Sequence, residues 1–150
     1  MEQYTRQIQV PKNCGGSYIP PNEMPPDGFQ PRKFVLKEKI SEMLKYGLPL
    51  VNNFSRRDRK LADTLRDSML EMYRLATRLE RKYHKKTTLE DLDIELAVLK
   101  EFVLLASDKD YCGAKHAPPL TIHQREVWSG FNTEIGKLIG GYKKFIESKS

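Results

Sequence analysis

Apolar residues recur at intervals of three and four along most of the chain beyond residue 32, the spacing of one face of an α-helix. Four such stretches predict helices near residues 33–46, 56–84, 88–108 and 121–146. Each helix needs a partner for its apolar stripe, and the first two connections are short. The pattern therefore predicts an all-α fold, an antiparallel four-helix bundle over residues 32–150.

The first predicted helix ends at a glycine and a proline. Its predicted buried face comprises Leu36, Ile40, Met43 and Leu44. Gly47 and Pro49 predict the end of the helix, because proline cannot donate the next backbone hydrogen bond. A kinked continuation to Val51 is the alternative.

The second predicted helix opens with Ser55, and Asp58 three residues later predicts a capping box. Its stripe is the longest in the chain and predicts a central place in the core. The stripe comprises Leu61, Leu65, Met69, Met72, Ala76, Leu79 and Tyr83.

The third predicted helix is apolar on two sides. Thr87 or Thr88 is its predicted N-cap. One side is a heptad stripe of Leu89, Leu92, Leu96, Leu99, Val103 and Ala106. The other side carries Ile94, Val98, Phe102 and Leu105. Because a helix with two apolar faces usually touches two partners, this second line predicts an interface with a neighbouring subunit.

The fourth predicted helix combines an apolar face with a face of small residues. Thr121 and Gln124 predict a capping box at its start. The apolar residues are Trp128, Phe131, Ile135, Leu138, Tyr142 and Phe145, and the small ones are Ser129, Thr133, Gly136 and Gly140. A glycine inside a helix costs about 1 kcal/mol against alanine, so Gly136 and Gly140 predict close approach of another backbone at an oligomer interface. A frayed helix end is the alternative.

Residues 1–31 hold six of the nine prolines and three glycines, which predicts an irregular N-terminal arm outside the bundle. A disordered arm and an ordered one both fit this composition. Residues 108–120 are a predicted loop, punctuated by Gly113, Pro118 and Pro119.

Several classes of function find no support in the sequence. No apolar run approaches the roughly 18 residues of a membrane span, and no signal peptide is recognisable. Cys14 and Cys112 form no CxxC pair, which favours a reducing, cytoplasmic setting. Cys112, His116 and His123 are too loosely spaced for a structural zinc site. With no nucleotide-binding or hydrolase motif either, the sequence predicts neither an enzyme nor a cofactor.

Charge is the strongest functional feature. The chain carries a net charge of +6, but residues 56–86 hold eleven Lys/Arg against five Asp/Glu, whereas residues 87–110 hold two against seven. The predicted nucleic-acid or partner-binding residues are Arg56, Arg59, Lys60, Arg74, Arg78, Arg81 and Lys85. Arginine suits phosphate because its planar guanidinium binds two oxygens at once. The alternative is a solvated helix face that only keeps the protein soluble.

Two segments carry a resemblance to a known family: FSRRDRKLADTL at the start of the second helix and EIGKLIGGYKKF near the end of the fourth. With the basic second helix and the acidic, leucine-rich third helix between them, the chain resembles the accessory variability determinant proteins of diversity-generating retroelements. The resemblance covers residues 33–146. The family often has proline after the phenylalanine, where this chain has Ser55.

The resemblance implies a homopentameric, non-enzymatic protein that binds the retroelement's reverse transcriptase and its template RNA and supports mutagenic cDNA synthesis. Two alternatives stay open. One is a four-helix bundle of the type encoded in intervening sequences of 23S ribosomal RNA genes. The other is a structural oligomeric bundle with no role in nucleic-acid binding.

Overall fold

The computed structural model describes residues 34–81, 85–111 and 116–149. They form four helices, α1 (Val35–Asn52), α2 (Arg59–Arg81), α3 (Lys85–Ala106) and α4 (Ile122–Lys149), and a 3₁₀ turn, Arg56–Asp58, leads into α2. Within these ranges there is no β-strand. The predicted all-α four-helix bundle is confirmed. The predicted arm, residues 1–31, lies outside the described residues.

Polar contacts between neighbouring helices establish the antiparallel order. Lys37 near the start of α1 pairs with Glu80 near the end of α2 at 3.1 Å. The Ser68 hydroxyl in the middle of α2 donates to Glu95 of α3 at 2.7 Å. Lys143 near the end of α4 pairs with Asp93 of α3 at 2.7 Å. The pairs α1–α2 and α3–α4 therefore run antiparallel. The helices α2 and α3 must do so as well, because they are in contact and only residues 82–84 join them.

The core follows the predicted stripes of α2 and α3. The six described members of the α2 stripe are buried, and Tyr83, its seventh, lies outside the described residues. The whole heptad stripe of α3 is buried as well. Burying one such leucine or methionine contributes about 1.5–3 kcal/mol, so these two helices supply much of the stability.

The first helix does not stop at Tyr46 as predicted, because it continues through Pro49 to Asn52. Gly47 and Val51 are buried on the same side as Ile40, so ending the helix earlier would expose apolar surface. Pro49 points to solvent and removes one backbone donor. Burial on the inner side outweighs that loss.

Two of the three predicted N-terminal caps do not form as predicted, although Ser55 is the N-cap residue of the turn that leads into α2. Ser55 makes no side-chain cap hydrogen bond, because its hydroxyl donates to the Asp58 carboxylate at 3.0 Å instead. The third helix begins at Lys85, which places Thr87 and Thr88 inside its first turn rather than before it. Thr88 is buried there.

The third start, the predicted capping box at Thr121 and Gln124, is confirmed. The Gln124 backbone N–H donates to the Thr121 hydroxyl oxygen, and the Thr121 N–H donates to the Gln124 side-chain oxygen, both at 3.0 Å. Two of the backbone donors that a helix start leaves free are satisfied in this way.

The buried line of α4 differs from the predicted one. Trp128 and Ile135 are buried as predicted, but Asn132 and Ile139 complete the line, and Phe145 is 57% exposed. Phe131, Leu138 and Tyr142 are half-buried at its side. Among the described atoms, the Trp128 indole N–H and the Asn132 side-chain amide have no hydrogen-bond partner. A polar residue on the inner face of the helix was not expected from the aromatic pattern.

None of the described helices combines the length and the apolar character needed to cross a lipid bilayer.

Candidate nucleic-acid interface

Three predicted arginines share one exposed face near the end of α2. Arg74, Arg78 and Arg81 are spaced four and three residues apart, which aligns them on the helix surface. The Arg74 side chain is 66% exposed and pairs with Glu71. The side chains of Arg78 and Arg81 form no hydrogen bond or ion pair in the described part of the chain. These two guanidinium groups are therefore free to bind an anion. We call the three residues the end cluster.

Arg56, Arg59 and Lys60 are exposed at the other end of α2 and form what we call the start cluster. At 1.5 Å per residue, Lys60 and Arg74 lie about 20 Å apart along the helix axis. The side chains between them on this face are acidic, namely Asp63, Asp67 and Glu71. The seven predicted basic residues therefore do not form one continuous ridge. The seventh, Lys85, has its side chain outside the described residues.

A cavity of about 260 Å³ opens between the end of α1 and the start of α2. Arg56, Arg59 and Arg66 line it together with Phe54 and Asp63. Arg66 is held in place, because it donates to the Asn52 side-chain oxygen at 3.0 Å and to Asp63 at 2.7 Å. Arg66 and Phe54 were not predicted as functional residues. Their place at the cavity depends on the continuation of α1 past Pro49, which brings Asn52 beside α2.

The second apolar line of α3 is largely on the outside of the bundle. The exposed fraction is 63% for Ile94, 37% for Val98 and 38% for Leu105, whereas Phe102 is half-buried. Val98 also lines a groove of about 440 Å³ between α2 and α3 with the exposed Leu70. These side chains remain available for the predicted contact with another subunit.

The glycines of α4 do not face a close neighbour within the described chain. A Cβ added at Gly136 would lie 3.6 Å from Leu96 Cδ2, an ordinary contact, and one added at Gly140 would meet no described atom within 4 Å. Gly136 thus lies against α3 of the same chain, and Gly140 lies open. The close approach predicted for these two positions stays a prediction about an assembly.

Lys143 and Asp93 connect α4 to the acidic side of α3. The hydrogen bond that Lys143 donates to Asp93 raises the pKa of Lys143, and the charges of Asp93, Glu90 and Glu147 act in the same direction. Lys143 is therefore a cation throughout the neutral range.

The weak zinc pattern gains no support from the described residues. His116 and His123 are described, whereas Cys112 is not. Among the described residues, no group of three or more His, Cys, Asp or Glu side chains is arranged to hold a metal ion.

A family model described as bAvd-like matches residues 34–146, which spans all four helices to within three residues of the end of α4. No curated protein matches the chain.

Proposed function

The chain belongs to the bAvd-like family, the bacterial accessory variability determinants of diversity-generating retroelements, and we propose that it binds the element's reverse transcriptase and template RNA. The family is one of non-catalytic accessory proteins. In this proposal the chain supports mutagenic cDNA synthesis by holding the enzyme and its template together, and the polymerase chemistry belongs to the reverse transcriptase.

The exposed arginines of the end cluster carry the proposal. Arg78 and Arg81 project from one helix face, and no described side chain neutralises them. A guanidinium group that binds a phosphate forms two charge-assisted hydrogen bonds, which are stronger than neutral ones. Side chains on a convex helix reach phosphate oxygens more readily than base edges. The protein should therefore bind RNA with little dependence on base sequence.

The distance between the start cluster and the end cluster determines where RNA would contact α2 in this proposal. Clusters about 20 Å apart on one helix can each contact a different phosphate group of the same strand. The acidic residues between them repel the strand there, so the RNA would cross the helix at two points. Each single-strand phosphate contact should steepen the log–log salt dependence of binding by about 0.7.

We also propose that the protein assembles as a homopentamer, with Ile94, Val98, Phe102 and Leu105 in contact with a neighbouring copy. A contiguous row of exposed apolar side chains favours association in water. Several copies of each cluster in one assembly would strengthen weak individual contacts through multivalency. Acidic patches on the reverse transcriptase would be attracted to the same clusters.

The proposal is tested by reversing the charge of the end cluster. We expect Arg78→Glu with Arg81→Glu to reduce binding of single-stranded RNA by at least about tenfold at moderate salt. Binding of the purified reverse transcriptase should fall as well. Both residues are exposed, so the fold should survive, with a cost of about 0.3–1 kcal/mol per residue for an acid near a helix C-terminus.

The matched control is Lys45→Glu with Lys109→Glu, which makes the same change in net charge at two exposed sites away from α2. This control should keep most of the binding. If both double variants lose binding equally, net charge rather than the end cluster is responsible. If neither loses it, the arginines of the end cluster are a solvated face that does not bind RNA.

A further inference from the structure

The cavity between α1 and α2 concentrates positive charge in a small, partly enclosed space. Its charged lining residues are Arg56, Arg59, Arg66 and Asp63, which gives a net charge of +2 from three cations and one anion. Val51 and Ala62 form buried apolar parts of its wall. A cavity of this kind differs from a solvated helix face, because its cations converge on one volume.

The three arginines have different roles. Arg66 already donates to Asn52 and Asp63, so it is a fixed wall of the cavity. The side chains of Arg56 and Arg59 have no hydrogen bond or ion pair within the described chain. The cavity therefore presents two available guanidinium groups beside one that is held in position.

We propose that this cavity binds a phosphomonoester at the end of a nucleic-acid strand, with the Phe54 ring stacked on the adjoining base. The proposal rests on the RNA binding proposed above and assigns the start cluster a specific ligand. A phosphomonoester carries a charge of about −1.5 to −2 near pH 7, close to the opposite of the cavity's +2. An internal phosphodiester carries only about −1.

The size of the cavity fits the same ligand. A volume of about 260 Å³ is slightly below the roughly 300–1,000 Å³ typical of small-molecule sites. It therefore holds a phosphate and part of one nucleoside rather than a longer segment. Phe54 is half-buried in the lining, and base–aromatic stacking tolerates any base. The strand would leave the cavity toward the rest of α2.

The experiment compares RNA oligonucleotides of one sequence that differ only at their ends. Full-length protein is titrated into internally labelled strands that carry a 5′-phosphate, a 3′-phosphate or hydroxyl groups at both ends, and fluorescence anisotropy is measured. We expect either the 5′-phosphorylated or the 3′-phosphorylated strand to bind about tenfold more tightly than the hydroxyl-ended strand. This is the difference that an additional charge-assisted contact makes.

Variants of the cavity residues test whether the preference for a phosphorylated strand end arises in the cavity. Arg56→Gln with Arg59→Gln should bind all three strands alike, with the remaining affinity supplied by the end cluster. Phe54→Leu should weaken the preference. Arg57→Gln is the matched control, because Arg57 is exposed in the same turn and does not line the cavity. This variant should keep the preference.

The two proposals fail in different ways. Equal binding of the three strands by the parent protein overturns the cavity proposal and leaves the proposed function intact. Absence of binding to any strand overturns both. Adenosine monophosphate and inorganic phosphate are tested as competitors against the phosphorylated strand. If either one competes at the same concentration as the strand, the cavity binds small free phosphate compounds, and its assignment to strand ends is wrong.

Discussion

Gly47 lies where α1, α2 and α4 meet, and the space for a side chain there is already filled. A Cβ added at this position would lie 2.7 Å from the Met69 sulfur and 2.8 Å from Trp128 Cζ2. Both distances are shorter than real Cβ contacts, so a neighbour would have to move. Trp128 is fully buried and has little freedom to do so.

We therefore expect Gly47→Ala to destabilise the bundle. Overpacking a filled core costs about 1–3 kcal/mol, and the better helix propensity of alanine returns up to about 1 kcal/mol. Gly130→Ala is the control, because a Cβ at Gly130 meets no described atom within 4 Å. Urea unfolding should show a lower free energy of unfolding for Gly47→Ala than for the parent. For Gly130→Ala the free energy of unfolding should rise by up to about 1 kcal/mol. Equal stability of the two variants would contradict the close contact.

The sequence did not identify Gly47 as a glycine required for close packing, and the reason is physical. A glycine followed by proline is a common helix end, so Gly47 with Pro49 predicted a stop. Local propensity carries no information about Met69 and Trp128, which approach Gly47 from other helices. The glycines of α4 share a helical face, yet Gly140 has open space around it in the described chain. A glycine allows close packing only where another part of the folded structure approaches it.

The predicted capping boxes show that a sequence signal for a helix start can hold at one site and fail at another. At Thr121 both reciprocal hydrogen bonds of the capping box form, whereas Ser55 turns to the Asp58 side chain instead. The same four-residue motif thus gives two outcomes. The buried carboxylate of Asp58 needs a donor, and Ser55 is the one beside it.

Thr121→Ala should consequently weaken the start of α4. Loss of an N-cap side chain typically costs about 1 kcal/mol, within a range of about 0.5–2 kcal/mol. Thr133→Ala is a matched control on the exposed middle of the same helix, and it should leave stability within about 0.5 kcal/mol or raise it. Thermal unfolding followed by circular dichroism measures both. A Thr121→Ala variant as stable as the control would show that the capping box contributes nothing.

The apolar stripes predicted the interior well where one line of residues dominated. In α2 and α3 the spacing of leucines and methionines identified the buried faces correctly. In α4 two apolar lines run side by side, and the larger aromatic residues drew the prediction away from Ile139 and Asn132. Periodicity alone does not rank two such lines, because the choice depends on how the neighbouring helices fit.

For the candidate interface, the sequence predicted the residue types but not their grouping. The count of basic residues on α2 is high, and the predicted ones with described side chains are exposed. Their division into two clusters follows from Asp63, Asp67 and Glu71 on the same face. The cavity at the start cluster depends on the continuation of α1 past Pro49, which the sequence offered only as the alternative to a helix end at Gly47.

At the scale of the whole molecule, the acidic outer side of α3 carries apolar residues that a single chain leaves in water. Ile94 is the most exposed of the four predicted interface residues on α3, and Val98 and Leu105 follow it along the helix. Thr87, Asp91 and Glu101 lie on the same side. An apolar row within a polar margin is the usual anatomy of an interface between protein subunits.

We expect Ile94→Glu to weaken assembly while leaving the individual bundle folded. The change removes apolar area from the proposed contact and buries a carboxylate in it, and each 1.4 kcal/mol lost weakens association about tenfold. Ile122→Glu is the matched control, since Ile122 is 59% exposed against 63% for Ile94 and lies on α4 outside the predicted interface. Light scattering coupled to size-exclusion chromatography would give the mass of each variant.

A parent protein that elutes at the 17.4 kDa of one chain at micromolar concentration would refute the assembly. If the parent is oligomeric and Ile94→Glu keeps its full mass, the chains associate through another surface, and the α2–α3 groove beside Val98 and Leu70 is the next face to test.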